Sequence, residues 1–228
     1  MAALELTTTV DATMDQSLPD TNTGSGVTCL VRNAVGSIKQ RSAVTFDRSL
    51  IGADWVISAA TLKIECALIP AGSATGTCEL LWIDASEPGP PGLPALTEAD
   101  VTWNTRATGA IWNTAGGDFE TNVTPPTFTI PTSLGEIVTI NVLDIVEYAR
   151  TNYAATTPDQ IGFCIRQSAG TGRTWSFASK ENILGQMFPT LTITYTEPPS
   201  SIASRPIQRR AYGRPYPTGS RPFRGPGE

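Results

Sequence analysis

The chain has 228 residues, 40% of them apolar and 7% aromatic, with 16 basic against 21 acidic side chains. That length suffices for one large β domain, or two small ones, with a sizeable core. No histidine is present, which excludes Ser-His-Asp and Cys-His nucleophile systems, histidine general bases and histidine-ligated zinc.

The charge divides along the chain. Residues 1–200 hold ten Lys/Arg and twenty Asp/Glu, a net of −10, while residues 201–228 hold six Arg and only Glu228, a net of +5. An acidic body with a basic tail is the first organisational fact. No apolar run approaches the ~18 residues of a membrane span, so no membrane partner is expected. The opening Met1-Ala-Ala-Leu-Glu-Leu6 has neither a basic nor an apolar signal region, and the expectation is synthesis in a host cytoplasm.

Taken in order, the segments of the body alternate with period two, the signature of half-buried strands. Val44/Phe46 begins the series. In Thr61–Leu68, Leu62, Ile64, Cys66 and Leu68 face one way and Thr61, Lys63 and Glu65 the other. Cys78/Leu80/Trp82, Phe128/Ile130, Val138/Ile140/Val142, Ile161/Phe163/Ile165, Trp175/Phe177 and Thr190–Tyr195 continue it. Gly/Pro clusters at 70–72, 87–94, 115–117, 125–126 and 169–172 separate them as turns. Leu143–Asn152 departs from this pattern. Its apolar spacing of three and four predicts a short helix over 143–150, with Asn141 as N-cap and Arg150 near the negative end of the dipole. The predicted fold is all-β, an antiparallel β-sandwich or jelly roll over residues 1–196 with one short helix. Residues 197–228 form an extended Pro/Gly/Arg-rich C-terminal arm that cannot build a core.

Four cysteines, Cys29, Cys66, Cys78 and Cys164, are too far apart for a C-x-x-C motif. A hairpin of residues 61–68 with 77–83 would pair Leu62 with Trp82, Ile64 with Leu80 and Cys66 with Cys78. That pairing is within disulfide reach, and free thiols are the expectation at synthesis.

The order of Val10–Gly24, Ala43–Asp47, Ile57–Ile64, Asp100–Arg106, Asn141–Val146, Thr174–Asn182 and Phe188–Tyr195 resembles the DNRLRE-type β-sandwich modules of bacterial surface and phage virion proteins, some of which bind carbohydrate. The resemblance spans roughly residues 5–196. It implies a jelly-roll module that binds or assembles rather than catalyses.

Several residues are candidates for sites. Trp103, Asn104, Arg106 and Trp112 have the chemistry of a glycan groove, an aromatic face to stack on with amide and guanidinium groups to read hydroxyls. The competing role is packing for Trp103 and turn capping for Asn104 and Asn113, and Trp82, Trp175 and Phe177 read as core. Asp11, Asp15, Asp20 and Asn22 offer oxygens for a structural calcium, though not at EF-hand spacing, and they serve turns equally well. No other cofactor is indicated. Glu98/Asp100 and Glu65/Glu79 are the nearest approach to a paired-carboxylate hydrolase and read as solvated faces, so no enzyme is expected. Asn122-Val-Thr124 fits the N-glycosylation pattern.

The arm interleaves Arg205, Arg209, Arg210, Arg214 and Arg221 with Tyr212, Tyr216 and Phe223. Extended as polyproline it reaches roughly 90 Å at ~3.1 Å per residue. Arg and Tyr anchor interfaces, and the acidic body of another copy is a complementary surface. Nucleic acid ranks lower, because the acidic body opposes it. The expectation is a structural or accessory virion protein of a tailed bacteriophage, a capsid decoration or a neck or tail component. Its partners would be copies of itself and other virion proteins. The alternative is a carbohydrate-binding module that recognises a surface glycan.

Overall fold

The computed structural model describes residues 1–33, 38–69, 76–83, 95–152, 160–170, 174–183 and 185–198. The chain divides into a unit of Met1–Pro198 and one of Pro199–Glu228. The second unit lies outside the described residues.

Among the described residues thirteen strands and one α-helix make up the body in the order β1 (Ala2–Thr7), β2 (Val10–Asp15), β3 (Thr28–Asn33), β4 (Lys39–Asp47), β5 (Val56–Leu68), β6 (Gly76–Trp82), β7 (Thr105–Ala107), β8 (Ala110–Ile111), β9 (Thr127–Thr129), β10 (Ile137–Asn141), α1 (Leu143–Asn152), β11 (Gln160–Gly170), β12 (Trp175–Ala178) and β13 (Thr190–Thr196). Among the described residues all strand pairings are antiparallel. The all-β class with one short helix therefore holds. Eleven of these strands form one curled sheet in the order β1-β13-β5-β12-β3-β4-β11-β6-β9, with β10 also on β5 and β2 also on β4, and β7 and β8 pair separately.

Long β5 explains the curl. Its middle pairs with β13 and β10 together, since Leu62 lies opposite both Leu191 and Ile140. Its end leaves them and pairs with β12, Cys66 opposite Phe177. From there β12 and β3 lead the sheet round to β4 and β11. Leu62, Ile64, Ile140, Leu191 and Ile193 on one side thus share a core with Val44, Phe46, Leu80, Trp82, Ile161, Phe163 and Ile165 on the other. Trp175 and Phe177, at the turn of the sheet, are 0% exposed.

The β2-β4-β11-β6 region is buried on both faces. Its inner face supplies the residues just named. Its outer face, from Val10, Ala12, Met14, Ala43, Leu81, Ile83 and Cys164, lies under Leu96, Val101, Trp103 and Trp112 of the segment that follows.

The helix forms where its apolar spacing places it, burying Ile145, Val146 and Ala149. Asn141 Oδ1 accepts from the Leu143 N–H at 3.1 Å, satisfying one of the donors a helix start leaves open. Arg150, in the last turn, pairs with Glu147 at 2.6 Å and donates to the Ala53 carbonyl.

The expected β5–β6 hairpin is not made. Strand β6 pairs with β11 and β9 instead, with Cys78 opposite Gln167 and Phe128, while Cys66 sits on β5 beside β12. The matching inward faces that suggested the hairpin arise because both strands line the same core. All four cysteines are free and buried.

Candidate functional site

The segment 95–125 covers the outer face of the sheet and builds the site. Trp103 and Trp112 are buried, at 6% and 4% exposure, so neither presents the open ring face that stacking on a sugar requires. This corrects the glycan groove expected from Trp103, Asn104, Arg106 and Trp112. The four residues are close together as the internal frame of the cover. The Trp112 indole donates to the Thr102 carbonyl at 3.0 Å. The buried Arg106 guanidinium lies 5.3 Å from the Trp112 ring, a cation–π contact. Asn104 donates from its side chain to Asp20 at 2.8 Å and from its backbone to the Pro19 carbonyl.

The calcium candidates do not converge. Asp11 accepts from the Lys180 backbone N–H at 2.8 Å. Asp15 holds Ser17 and Gln40, and Asn22 donates to the carbonyls of Glu98 and Val101. Each is engaged by different partners, and among the described residues no group of three or more His, Cys, Asp or Glu is placed to hold a metal. The proposed carboxylate pairs are likewise separate: Asp100 accepts from Thr97 and Thr108, Glu65 from the Met187 N–H, and Glu79 from Arg166. Burial pushes the thiol of Cys66 up to about 11 and those of Cys78 and Cys164 to about 12, which keeps them protonated and unreactive at neutral pH. The arm residues Arg205, Arg209, Arg210, Tyr212, Arg214, Tyr216, Arg221 and Phe223 lie outside the described residues.

A different constellation emerges at the end of the outer face that the cover leaves bare. The β11–β4 ladder ends at Ile165 opposite Ser42, and Arg166 and Arg41 are the next residue on each strand, with β4 passing to β3 beyond them. Arg41 is held in place: its guanidinium lies 5.0 Å from the Trp103 ring and 5.6 Å from the Phe119 ring. Its Nη1 donates to the Gly116 carbonyl at 2.7 Å. Gly116 has φ +87°, and a Cβ there would stand 2.8 Å from Trp103 and 3.0 Å from Arg41, so the turn that seats the arginine requires glycine. Burial, reinforced by the charge of Arg166, draws the Arg41 pKa down. Arg166 pairs with Glu79 through Nε at 2.8 Å and Nη2 at 2.7 Å.

Arg41 and Arg166 line two adjoining hollows. The larger, about 630 Å³, runs along Asn113, Thr114, Phe119, Thr121 and Thr124. The smaller, about 240 Å³, adds Arg32, Lys39, Asn33 and Ser168. Sequence reading missed this groove because Arg32, Lys39, Arg41 and Arg166 lie on three strands. The available signal was an arginine, Arg41 or Arg166, two residues from a small apolar residue, Ala43 or Cys164, on the same side of its strand. No protein-family model matches the chain, and a search of curated proteins finds no match.

Proposed function

We propose that the chain is a structural assembly component, of the kind that decorates or joins the parts of a tailed-phage virion, with the β body docking among neighbours and the basic arm binding their acidic surfaces. The observation that carries this reading is the opposition of charge between body and arm, −10 over residues 1–200 and +5 over 201–228. The body's carboxylates are available to such an arm: Glu5, Asp20, Asp54, Glu136 and Asp144 are all exposed. Arginines and aromatics interleaved with proline are suited to the role, because proline lowers the entropy lost on ordering and aromatics supply anchors that salt does not weaken. The resemblance to DNRLRE-type modules points the same way.

The test compares the full chain with a chain ended after Ser200, by sedimentation at rising concentration in ~0.1 M and ~1 M salt. The full chain should self-associate or enter its particle, and lose part of that association in high salt. The shortened chain should keep its circular dichroism and melting temperature but remain monomeric. Equal assembly by both would overturn the proposal.

A further inference from the structure

We infer that the groove between Arg41 and Arg166 binds a small acidic sugar, a carboxylate or phosphate ester carried on a polyhydroxylated frame. The inference involves no residue of the arm and does not rest on the assembly reading.

The charge pattern is the first argument. Like charges held near one another repel, yet Arg41 and Arg166, each one residue beyond the last β4–β11 pair, line the same two hollows. Of the ten Lys/Arg in residues 1–200, whose net charge is −10, Arg32, Lys39, Arg41 and Arg166 line this one groove. Glu79 pairs with Arg166, and Asp15 lies close enough to Arg32 to feel its charge. The larger hollow also holds two carboxylates: Asp118 accepts from the N–H groups of Asn113 and Thr114, and Glu120 from those of Thr121 and Asn122 and from the Asn122 side chain. An oxyanion between the guanidinium groups would relieve the repulsion through charge-assisted bonds.

The donors are partly pre-organised, which lowers the cost of binding. Arg41 is fixed by two rings and by Gly116, and its Nε and Nη2 make no hydrogen bond among the described residues. Arg166 is fixed by Glu79 through Nε and Nη2, so Nη1 remains to reach a second oxygen.

Size and lining select the rest of the ligand. A hollow of about 630 Å³ is in the range of small-molecule sites. A long polyanion would leave the groove and meet the acidic body, which repels it. Around the cations stand Asn113, Thr114, Thr121, Thr124 and Ser168, side chains that both donate and accept. They match hydroxyl groups, and half-buried Phe119 offers apolar surface beside them.

The test titrates the full chain with glucuronate, glucose 6-phosphate, glucose and inorganic phosphate, followed by calorimetry. One of the two acidic sugars should bind at least ~10-fold more tightly than glucose and than inorganic phosphate, a difference of about 1.4 kcal/mol. Which of the two it is distinguishes carboxylate from phosphate ester. Arg166→Gln and Lys39→Gln lie outside the core and should weaken that binding ~10-fold and a few-fold while the fold melts as before; Glu79→Gln, which releases Arg166, should tighten it. Arg41→Lys keeps the charge but loses the planar fork, and should weaken binding as well. Glucose binding as tightly as the acids would overturn the role of charge, and inorganic phosphate doing so would overturn the role of the frame. Absence of binding by all four, or binding indifferent to Arg166→Gln and Lys39→Gln, would overturn the site.

Discussion

The inner and outer faces of the β2-β4-β11-β6 region bury comparable side chains by different means. The inner face meets other strands of the same sheet, so branched and aromatic side chains interdigitate between regular elements. The outer face meets a segment with only the short strands β7 and β8, and is covered by two tryptophans, a buried arginine and glycine turns. A core between strands is specified redundantly by many pleats. The cover depends on a few residues that each satisfy a loop backbone, because buried loop N–H and C=O groups must find partners individually. Where the cover stops, the face carries charge in place of apolar groups.

The largest effect should come from the core that the inner face shares with β12. Trp175 is wholly buried and packs edge-on against Phe128 at 6.1 Å and beside Phe177 at 6.0 Å. Trp175→Ala should cost ~3–5 kcal/mol by leaving a cavity, and lower the melting temperature by roughly 6–20 °C for a domain of this size. A loss of only a degree or two would mean that this core repacks freely.

At the margin of the same core, Asp11 offers a pH test. It lies against Cys29, accepts from the Lys180 N–H, and stands near Glu98 and Glu181, which Lys180 pairs with. Burial, reinforced by the charges of Glu181 and Glu98, raises its pKa from 3.8 to about 7. The folded state therefore binds the proton more tightly than the unfolded chain does. The resulting stability is complete below about pH 3.8 and is lost as pH rises through about 7, up to ~4 kcal/mol at 1.36 kcal/mol per pKa unit. Asp11→Asn keeps an acceptor for Lys180 and removes the titration. Urea midpoints measured from pH 4 to 8 should fall for the wild type relative to the variant; parallel curves would show that Asp11 is ionised throughout.

The outer face should be broken locally rather than globally. Gly116→Ala forces a side chain into left-handed backbone, costing ~1–2 kcal/mol, and presses it on Trp103 and Arg41. A total near 2–3 kcal/mol is expected. Hydrogen exchange should show the loss across residues 102–119, with β4 and β11 still protected. Uniform loss would mean that cover and sheet unfold as one.

These differences also explain what the sequence could disclose. The alternation in Thr61–Leu68 and Thr190–Tyr195 was legible because each strand has one face inward and one outward. Leu143–Asn152 was legible because its apolar spacing has a helical period. In Val10–Asp15 all six residues are buried, and a strand covered on both faces loses the alternation that announces it. Pairing was illegible for a related reason: Cys66 and Cys78 share an inward face, and facing the same core does not make two strands neighbours. Trp103 and Trp112 were open to either reading because exposure depends on whether the loop turns over the sheet, a long-range event. The nearness of Arg41 and Arg166 needs the β4–β11 ladder, whose last pair joins Ser42 to Ile165, residues far apart in the chain.

The smallest effect is expected at the bare end, and it separates structure from function most sharply. If Arg166 and Lys39 were there to hold the fold, removing them would cost as much as other partly buried polar residues. The Arg166–Glu79 pair is partly exposed, at 37% and 23%, where such pairs contribute ~0–1 kcal/mol. Opposing it is repulsion between the Arg166 and Arg41 charges, which at a partly exposed site is of the same order, ~0–1 kcal/mol. The two nearly cancel, so Arg166→Gln should shift stability by no more than ~0.5 kcal/mol, and Lys39→Gln by less. Added salt screens both terms and should leave the difference small. Denaturant midpoints of the two variants against wild type measure this. A cost above ~1.5 kcal/mol would make the arginine a structural residue and remove the main reason to look for a ligand between it and Arg41. A cost near zero would leave two like charges near each other with no folding role, which is the condition a binding site for an anion requires.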